Sequence, residues 1–264
     1  MHKFKRTLVM RIRVLGCSGG IGAGARTSAM LIDNDVLIDA GTGIGDLGLS
    51  DLDSIRHVFL THAHLDHIAG LPMLADRVFD DNFETPLTVY AREETLRAVQ
   101  DHLFNGVIWP DFARLPSAHN PMLRYHVCSP GDTITIGERD FHAVDVMHSV
   151  PSLGFTVQNS GGAFAVSGDT KTNETLWPVL NACDDLRVLV IEVSFPDEME
   201  ALAADSGHYT PKTLTEDLRH LRHEPEIWLT GMKPGEEDKI YGQVIKAAPG
   251  KNIQMLSRGT VLTV

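Results

Sequence analysis

The run Thr61-His62-Ala63-His64-Leu65-Asp66-His67 is the feature that most constrains how this chain can fold. An apolar, β-prone segment over residues 57–60 precedes it, and residues 68–74, which can begin a helix, follow it. The pattern therefore predicts a turn between a buried strand and a helix. Chance surface histidines are a poor explanation for so dense a set at such a place.

The side chains of this run predict a metal site. Imidazoles with a carboxylate suit zinc, iron or manganese better than magnesium or calcium alone. Side chains two positions apart on an extended segment face the same way. His62 and His64 are therefore predicted to bind one metal, while Asp66 and His67 reach a second.

Two metals need further ligands, which rigid strand ends hold best. His148 ends a predicted strand over residues 141–147, and Asp169 ends one over residues 163–167. Asp169 comes directly after a glycine, so its carboxylate can approach closely and bridge two cations. Alone, Asp169 would be interpreted as a turn residue that caps the next helix. Beside the histidine run, the bridging hypothesis is favoured.

Charge and cysteine content restrict the partners and the compartment. The net charge of −12 disfavours broad contact with the phosphates of DNA or RNA, and only residues 2–6 form a basic cluster. The three scattered cysteines predict no disulfide framework, and no apolar run suits a membrane span. We therefore expect a soluble cytoplasmic protein with no nucleic-acid or membrane partner.

The order of strands and helices predicts an α/β fold. Residues 1–9 are interpreted as an extension and residues 10–264 as a single domain, since a 264-residue chain that is 43% hydrophobic suffices for one large core. Strands and helices recur in two similar halves, which predicts two mixed sheets face to face with helices outside. Residues 103–125 are predicted to form an irregular loop of a length that is usually functional or an interface.

The order His62-x-His64-x-Asp66-His67, then His148, then Asp169 resembles the metallo-β-lactamase fold superfamily. The resemblance is closest to class II cyclic-nucleotide phosphodiesterases, because several further blocks are similar to theirs. These blocks are residues 62–71, Phe104-Asn105 with Ile108-Trp109-Pro110-Asp111-Phe112, residues 191–196, residues 206–211 and Lys233-Pro234-Gly235. The resemblance implies an αββα sandwich from about residue 11 to the end of the chain.

The resemblance also implies a role for each matching residue. It implies that one metal binds His62, His64 and His148, that the other binds Asp66 and His67, and that Asp169 bridges them. It further places His208 beside the substrate phosphate, with Glu192 as the acidic partner that orients it. The implied cofactors are two divalent cations, with zinc expected and manganese or iron as alternatives.

One position departs from the family pattern. The family has Leu-Thr-His before a Lys-Pro, whereas this chain has Leu229-Thr230-Gly231-Met232-Lys233-Pro234. Gly231 thus stands where the second metal normally receives its terminal imidazole, as a natural variation or as a substitution that weakens the enzyme. We expect the second site to be only partly occupied.

Together these features predict hydrolysis of a 3′,5′-cyclic nucleotide, cAMP or cGMP, to the 5′-monophosphate by a hydroxide activated between two metals. Asp66 and Asp169 would orient that hydroxide, and His208 with Glu192 would stabilise the phosphate or protonate the leaving oxygen. Lys233 is a candidate phosphate contact. Trp109 and Phe112, like Phe104, either stack on the base, close a homodimer interface or only pack in the core.

Three alternatives remain open from the sequence. A ribonuclease that processes tRNA 3′ ends shares most of the ligands, but it should carry a basic RNA-binding arm, and this acidic chain shows none. Another small phosphodiester or ester hydrolase of the same fold is the second, because a fold does not determine its substrate. The third is a catalytically weakened ligand-binding relative, suggested by Gly231.

Overall fold

The structure is a computed structural model that describes residues 9–79 and 85–264. The predicted extension over residues 1–9 therefore lies outside the described residues, except for the exposed Val9. The first strand begins at Arg11, close to the predicted start of the domain.

The described residues contain short strands and eight α-helices. In chain order, the strands are β1 (Arg11–Gly16), β2 (Ala29–Ile32), β3 (Val36–Ile38), β4 (His57–Phe59), β5 (Leu87–Ala91), β6 (Pro116–Ser117), β7 (Asn120–Pro121), β8 (Leu123–Val127), β9 (Thr133–Ile136), β10 (Arg139–Val146), β11 (Ser152–Asn159), β12 (Gly162–Val166), β13 (Leu186–Glu192), β14 (Glu226–Thr230), β15 (Ile253–Met255) and β16 (Val261–Thr263). The helices are α1 (Leu49–Leu52), α2 (Leu65–Ile68), α3 (Leu71–Val78), α4 (Glu93–His102), α5 (Leu176–Ala182), α6 (Glu200–Ser206), α7 (Pro211–Asp217) and α8 (Glu237–Ala247), with 3-10 turns at Thr42–Asp46, Asp197–Met199 and Leu218–His220.

Two seven-stranded sheets share one pattern of pairing. The first has the order β16-β1-β2-β3-β4-β5-β8, and the second has the order β15-β14-β13-β12-β11-β10-β9. In the first sheet the strands from β16 to β3 pair antiparallel, and those from β3 to β8 pair parallel. In the second, β9 to β12 pair antiparallel and β12 to β15 pair parallel. The predicted similarity of the two halves is therefore present in the strand pairing.

Three hydrophobic clusters define the layers. One cluster joins residues of both sheets, and at its centre the ring of Phe59 stacks on Phe141 with centroids 4.5 Å apart. A second packs the first sheet against α3 and α4, and a third packs the second sheet against α5, α7 and α8. Each sheet thus buries both faces, one against the other sheet and one under helices. The predicted α/β sandwich with outer helices is confirmed.

The predicted irregular loop over residues 103–125 is shorter than expected. Strand β8 begins at Leu123 and pairs parallel with β5, and the two-residue strands β6 and β7 form a small separate ladder. Most of β8 is exposed or half-exposed, since it lies at the edge of the sheet. Its sequence therefore lacks the continuous apolar run that identified the inner strands. Among the described residues, no helix combines the length and apolar composition needed to span a membrane.

Candidate metal centre

The chemically active side chains lie at the ends of central strands in the two sheets. The histidine run follows β4, and His62 is fully buried, as are Val58 and Phe59 of that strand. His148 follows β10, Asp169 follows β12 and Glu192 ends β13. Strand ends thus bring residues that are far apart in sequence to one place.

In three histidines the protein holds Nδ1, and Nε2 faces the cluster. Nδ1 of His148 lies 2.8 Å from the carbonyl oxygen of Gly207, and Nδ1 of His67 lies 2.6 Å from Oδ2 of Asp39. These oxygens can only accept, so each Nδ1 carries a proton and each Nε2 is left to face the cluster. Nδ1 of His62 contacts the hydroxyl of Thr61 at 3.0 Å, while its Nε2 is buried without a hydrogen-bond partner among the described residues.

The buried Nε2 of His62 lacks a hydrogen-bond partner, which is unusual inside a protein. The imidazole nitrogens around it indicate that a metal cation is the missing partner. Nδ1 of His64 lies 3.2 Å from Nε2 of His148, and ligand atoms of both lie within 4.8 Å of one from His62. Burial lowers the pKa of all three imidazoles, that of His148 to about 4. Neutral imidazoles are the form that binds metals, so this set fits a divalent cation.

The carboxylate of Asp169 faces different groups with its two oxygens. Oδ1 lies 3.5 Å from Nε2 of His67, whereas Oδ2 lies 3.8 Å from Nε2 of His62 and 4.0 Å from Nε2 of His148. Burial would raise the pKa of Asp169, but His67 and the other imidazoles outweigh it and hold that pKa well below its usual range. The position suits a carboxylate that serves two cations.

Asp66 stands at the open side of the cluster. Its Oδ2 lies 3.9 Å from Nε2 of His67, and its side chain is partly exposed. His67 itself is grouped with His62 and Asp169, with ligand atoms within 4.8 Å of one another. The run after β4 therefore spans two neighbouring positions for a cation, of which the one beside Asp66 is the more exposed.

His208 lies at the wall of the same space and is held by Glu192. Its Nδ1 is 3.1 Å from both Oε1 of Glu192 and Oγ of Ser194, and 4.0 Å from Oδ2 of Asp169. Burial would lower the pKa of His208, but the hydrogen bond and charge of Glu192 outweigh it and raise that pKa. Because Nδ1 is taken, His208 can offer only Nε2 to a ligand.

Glu192 is the most enclosed acid of the site. It is fully buried, and burial raises the pKa of its carboxyl. Its oxygens accept from the backbone N–H groups of Thr170 and Tyr209 and from the hydroxyl of Ser194. A carboxylate fixed by that many donors cannot turn, so it sets the orientation of the His208 ring.

Two backbone turns close the other side of the space. The peptide N–H of Gly231 donates to the carbonyl of Cys17, and the N–H of Gly19 donates to Met232. A Cβ at Gly19 would come within 2.1 Å of the Gly231 carbonyl oxygen, so the close contact requires glycine there. Lys233 lines the space, but its ammonium donates to the Gly19 carbonyl at 2.8 Å.

Gly231, the predicted position of a missing ligand, also lines this space, together with Asp66, His67 and Asp169. Its backbone has φ of +77°, which L residues rarely adopt. A Cβ built there would lie 3.4 Å from Cβ of Glu192 and 3.5 Å from Oγ of Ser194, which are ordinary contacts.

The structure places the aromatic candidates away from the metal cluster. Phe112 is 3% exposed and packs against Phe79 and Phe104 in the cluster beneath α3 and α4. Trp109 packs against the same cluster, and neither residue lines the space beside Asp169. Phe104 and Phe112 are buried core residues, whereas Trp109 is half-buried, so its stacking and interface roles stay predictions.

Asp39 and Thr61 are the residues of the site that sequence reasoning missed. Asp39 holds His67 and also accepts from the hydroxyl and backbone N–H of Thr61. Its φ of +57° is unusual for a residue other than glycine. A sequence signal for Asp39 was available. Asp39 directly follows β3, which pairs parallel with β4, the strand that leads into the histidine run.

Comparisons with known proteins agree with this geometry. A sequence model described as "Beta-lactamase superfamily domain" matches residues 34–230. A probable 3′,5′-cyclic-nucleotide phosphodiesterase of Yersinia pestis is 27% identical over 261 residues, covering 81% of this chain and 73% of that protein. A ribonuclease Z of Methanosarcina mazei is 24% identical over 262 residues, covering 76% and 81%.

The fold comparison points the same way. The crystal structure of unliganded yeast PDE1 superposes with a TM-score of 0.82 at 19% identity, covering 97% of this chain and 99% of that one. At that identity the likeness concerns the fold. The family match extends from the β2–β3 turn to the end of β14 and so contains the histidine run, His148, Asp169 and His208. This chain therefore belongs to the β-lactamase superfamily, and its structure has the metallo-β-lactamase fold.

Proposed function

We propose that this protein is a metal-dependent phosphodiesterase that hydrolyses 3′,5′-cyclic nucleotides to 5′-monophosphates. The observation that carries the proposal is the placement of the Glu192–His208 pair directly beside a cluster of metal-type ligands, with Nδ1 of His208 4.0 Å from Asp169. Cations and a protonated imidazole at one site suit the hydrolysis of a phosphodiester. The name of the Yersinia pestis relative supports a cyclic nucleotide as the substrate.

The assignment of ligands follows the ring nitrogens that face the cluster. His62 through Nε2, His64 through Nδ1 and His148 through Nε2 would hold one divalent cation, for which zinc is the expected identity. His67 and Asp66 would hold the second, with Asp169 shared between the two. When bound, two such cations lower the pKa of water and neutralise charge on phosphoryl oxygens.

Side chains of the site can donate the proton that the reaction requires. Hydrolysis forms a bond from the water oxygen to phosphorus and breaks the bond from phosphorus to O3′, which must then take up a proton. His208 can donate that proton from Nε2, since Nδ1 is held by Glu192. In this proposal Asp66 and Asp169 orient the water, and the proton that the water loses passes to solvent.

A tRNA-processing role is the rival proposal, favoured by the similarity to ribonuclease Z. The net charge of −12 opposes it, because a protein that grips tRNA gains most of its affinity from phosphate contacts. The chemistry of the cluster alone does not separate the two, so the discriminating property is the substrate.

A turnover screen tests the proposal directly. The zinc-, manganese- and iron-loaded protein would be incubated with 3′,5′-cAMP, 3′,5′-cGMP, 2′,3′-cyclic nucleotides and a tRNA precursor, and the products separated by chromatography. We expect 5′-monophosphates from the 3′,5′-cyclic substrates and no cleavage of the tRNA. Cleavage of the tRNA precursor without turnover of any cyclic nucleotide would contradict the proposal.

A further inference from the structure

Ser194 is a buried serine two residues after Glu192, just beyond the end of β13, and it is 1% exposed. Its backbone is held on both sides. The N–H of Ser194 donates to the carbonyl of Tyr209, and the carbonyl of Ser194 accepts from the N–H of Lys233. These bonds connect Ser194 to the segment after α6 and to the turn after β14, so its side chain is fixed between the two.

Oγ of Ser194 has three neighbours at hydrogen-bond distance. Oε2 of Glu192 and the carbonyl oxygen of Gly231 each lie 3.0 Å away, and Nδ1 of His208 lies 3.1 Å away. A hydroxyl has one hydrogen to donate and two lone pairs with which to accept. The two oxygens compete for that hydrogen, and a carboxylate is a stronger acceptor than a carbonyl. The lone pairs of Oγ are then left for the N–H at Nδ1 of His208.

The contacts of Glu192 show why a second acceptor for His208 matters. Oε1 lies 3.0 Å from the backbone nitrogen of Thr170, 3.2 Å from that of Tyr209 and 3.1 Å from Nδ1 of His208. The two backbone N–H groups already match the two lone pairs of that oxygen. The N–H of the imidazole is therefore shared with Oγ of Ser194, which is equally distant. Oε2 has Ser194 as its one hydrogen-bond partner in the described part of the chain.

We propose that Ser194 is a positioning residue for His208: its hydroxyl accepts from Nδ1 of His208 and donates to Oε2 of Glu192, and so holds Nε2 of the ring toward the substrate. The inference rests on the proposed function, in which His208 donates the proton to the leaving oxygen. Ser194 acts through His208 and not on the substrate itself. Its single hydrogen already faces two fixed acceptors, so none remains for a phosphoryl oxygen.

The first test compares two leaving groups. The 3′ oxygen of a cyclic nucleotide leaves as a strongly basic alkoxide unless it receives a proton, whereas 4-nitrophenolate is stable without one. In Ser194→Ala we expect kcat for the preferred 3′,5′-cyclic nucleotide to fall about 10- to 100-fold, because a hydrogen bond to a charged pair is lost. KM should change less than twofold, and kcat for bis(4-nitrophenyl) phosphate less than threefold. An equal loss of kcat on both substrates would overturn the inference.

Two further variants separate the hydroxyl from the packing around it. Ser194→Thr keeps the hydroxyl, and we expect its kcat for the cyclic nucleotide to stay within about threefold of the unsubstituted protein. The matched control is Thr215→Val, which removes a buried hydroxyl that donates to the carbonyl of Lys212 on α7. It should change kcat on either substrate less than twofold. A loss in folded Ser194→Thr as large as that in Ser194→Ala would contradict the inference.

A double variant tests whether Ser194 acts through His208. Residues that contribute independently have effects on kcat that multiply, whereas residues of one hydrogen-bond network do not. Once His208→Ala has removed the ring, Ser194→Ala should lower kcat for the cyclic nucleotide less than twofold further. A full second loss in the double variant would show that Ser194 works by another route.

A spectroscopic measurement keeps the inference separate from the proposed function. Nitrogen-15 NMR spectra of the zinc-loaded protein report the proton on Nδ1 of His208, which is assigned by its absence from His208→Ala. We expect this proton to exchange with water at least tenfold faster in Ser194→Ala than in the unsubstituted protein or in Thr215→Val. An unchanged exchange rate would overturn the inference. If the rate rises as expected and no cyclic nucleotide is hydrolysed, the proposed function fails and the placement of His208 by Ser194 stands.

Discussion

Oδ2 of Asp39 lies 2.6 Å from Nδ1 of His67, and this contact fixes which nitrogen of the ring faces the cluster. Asp39→Asn would keep the shape but allow the amide to present a donor instead of an acceptor. The imidazole would then be free to turn or change tautomer. We expect metal affinity to fall roughly 10- to 100-fold. Competition with a metal chelator of known affinity measures the change, with Asp101→Asn, at an exposed helix position, as the control. Equal affinities would show that Asp39 only supports the fold.

Asp169→Ala should lower the metal content of the protein more than His148→Ala does. Each oxygen of Asp169 faces a different group of imidazoles, whereas His148 belongs to one side of the cluster only. We expect Asp169→Ala to lose most of both cations and His148→Ala to keep one, as measured by elemental analysis after gel filtration. Retention of both cations by Asp169→Ala would rule out a bridging carboxylate.

His208→Ala should lower turnover while the metal content stays near that of the unsubstituted protein. Its Nδ1 is bound to Glu192 and Ser194, so we place the ring at the substrate and not on a cation. The loss expected for a positioned proton donor is roughly two to four orders of magnitude in kcat. The exposed His119 provides a control, since His119→Ala should change neither quantity. Loss of metal from His208→Ala would instead identify His208 as a ligand.

Gly231→His tests the departure from the family pattern. The left-handed backbone at φ of +77° should cost any side chain about 1–2 kcal/mol, although the space around a Cβ is sufficient. Gly231→Ala carries the same strain without a ring and is the matched control. We expect both variants to lower the Tm, but only Gly231→His to raise second-cation occupancy and turnover.

The unsubstituted protein should also respond to free imidazole by a partial gain in turnover, because the ring can occupy the open position. Equal metal content in all three proteins, with no effect of imidazole, would mean that residue 231 does not stand at the ligand position.

The thiols should react slowly in the folded protein. Burial raises the pKa of both Cys17 and Cys128 to about 11. At pH 8 the reactive thiolate is therefore about 10⁻³ of each population, and its share rises about tenfold per pH unit up to that pKa. Ellman's reagent should label Cys17 and Cys128 slowly at pH 8 and rapidly after denaturation. Complete labelling within seconds in the native state would contradict the burial.

The sequence predicted the strands with apolar runs better than strand β8 at the edge of the first sheet. The run before His62 contains Val58, Phe59 and Leu60, and these apolar residues sufficed to predict the buried strand β4. Strand β8 was missed because its exposed edge position carries polar residues such as Arg124 and His126. Local pattern cannot reveal an edge strand whose stability comes from pairing with β5.

In the candidate site, too, some residues were predicted from the sequence and others were missed. Spacing sufficed to bring His62, His64 and His67 together, because they lie on one short segment. Positions at strand ends predicted His148 and Asp169, the resemblance to a known family added His208, and the structure groups the three. The roles of Asp39 and Thr61 were missed because an aspartate or threonine after a strand is common, and only the tertiary contacts with His67 and His62 distinguish them.

The groups that would bind cations come from both sheets, with residues 62–67 following β4 and His148 and Asp169 following strands of the other sheet. A cation held by all of them would act as a reversible cross-link between the halves of the fold. Its concentration would then enter the unfolding equilibrium: each tenfold rise in free metal above the Kd adds about 1.4 kcal/mol of stability. The free metal concentration would thus determine the stability of the folded protein as well as its rate of turnover.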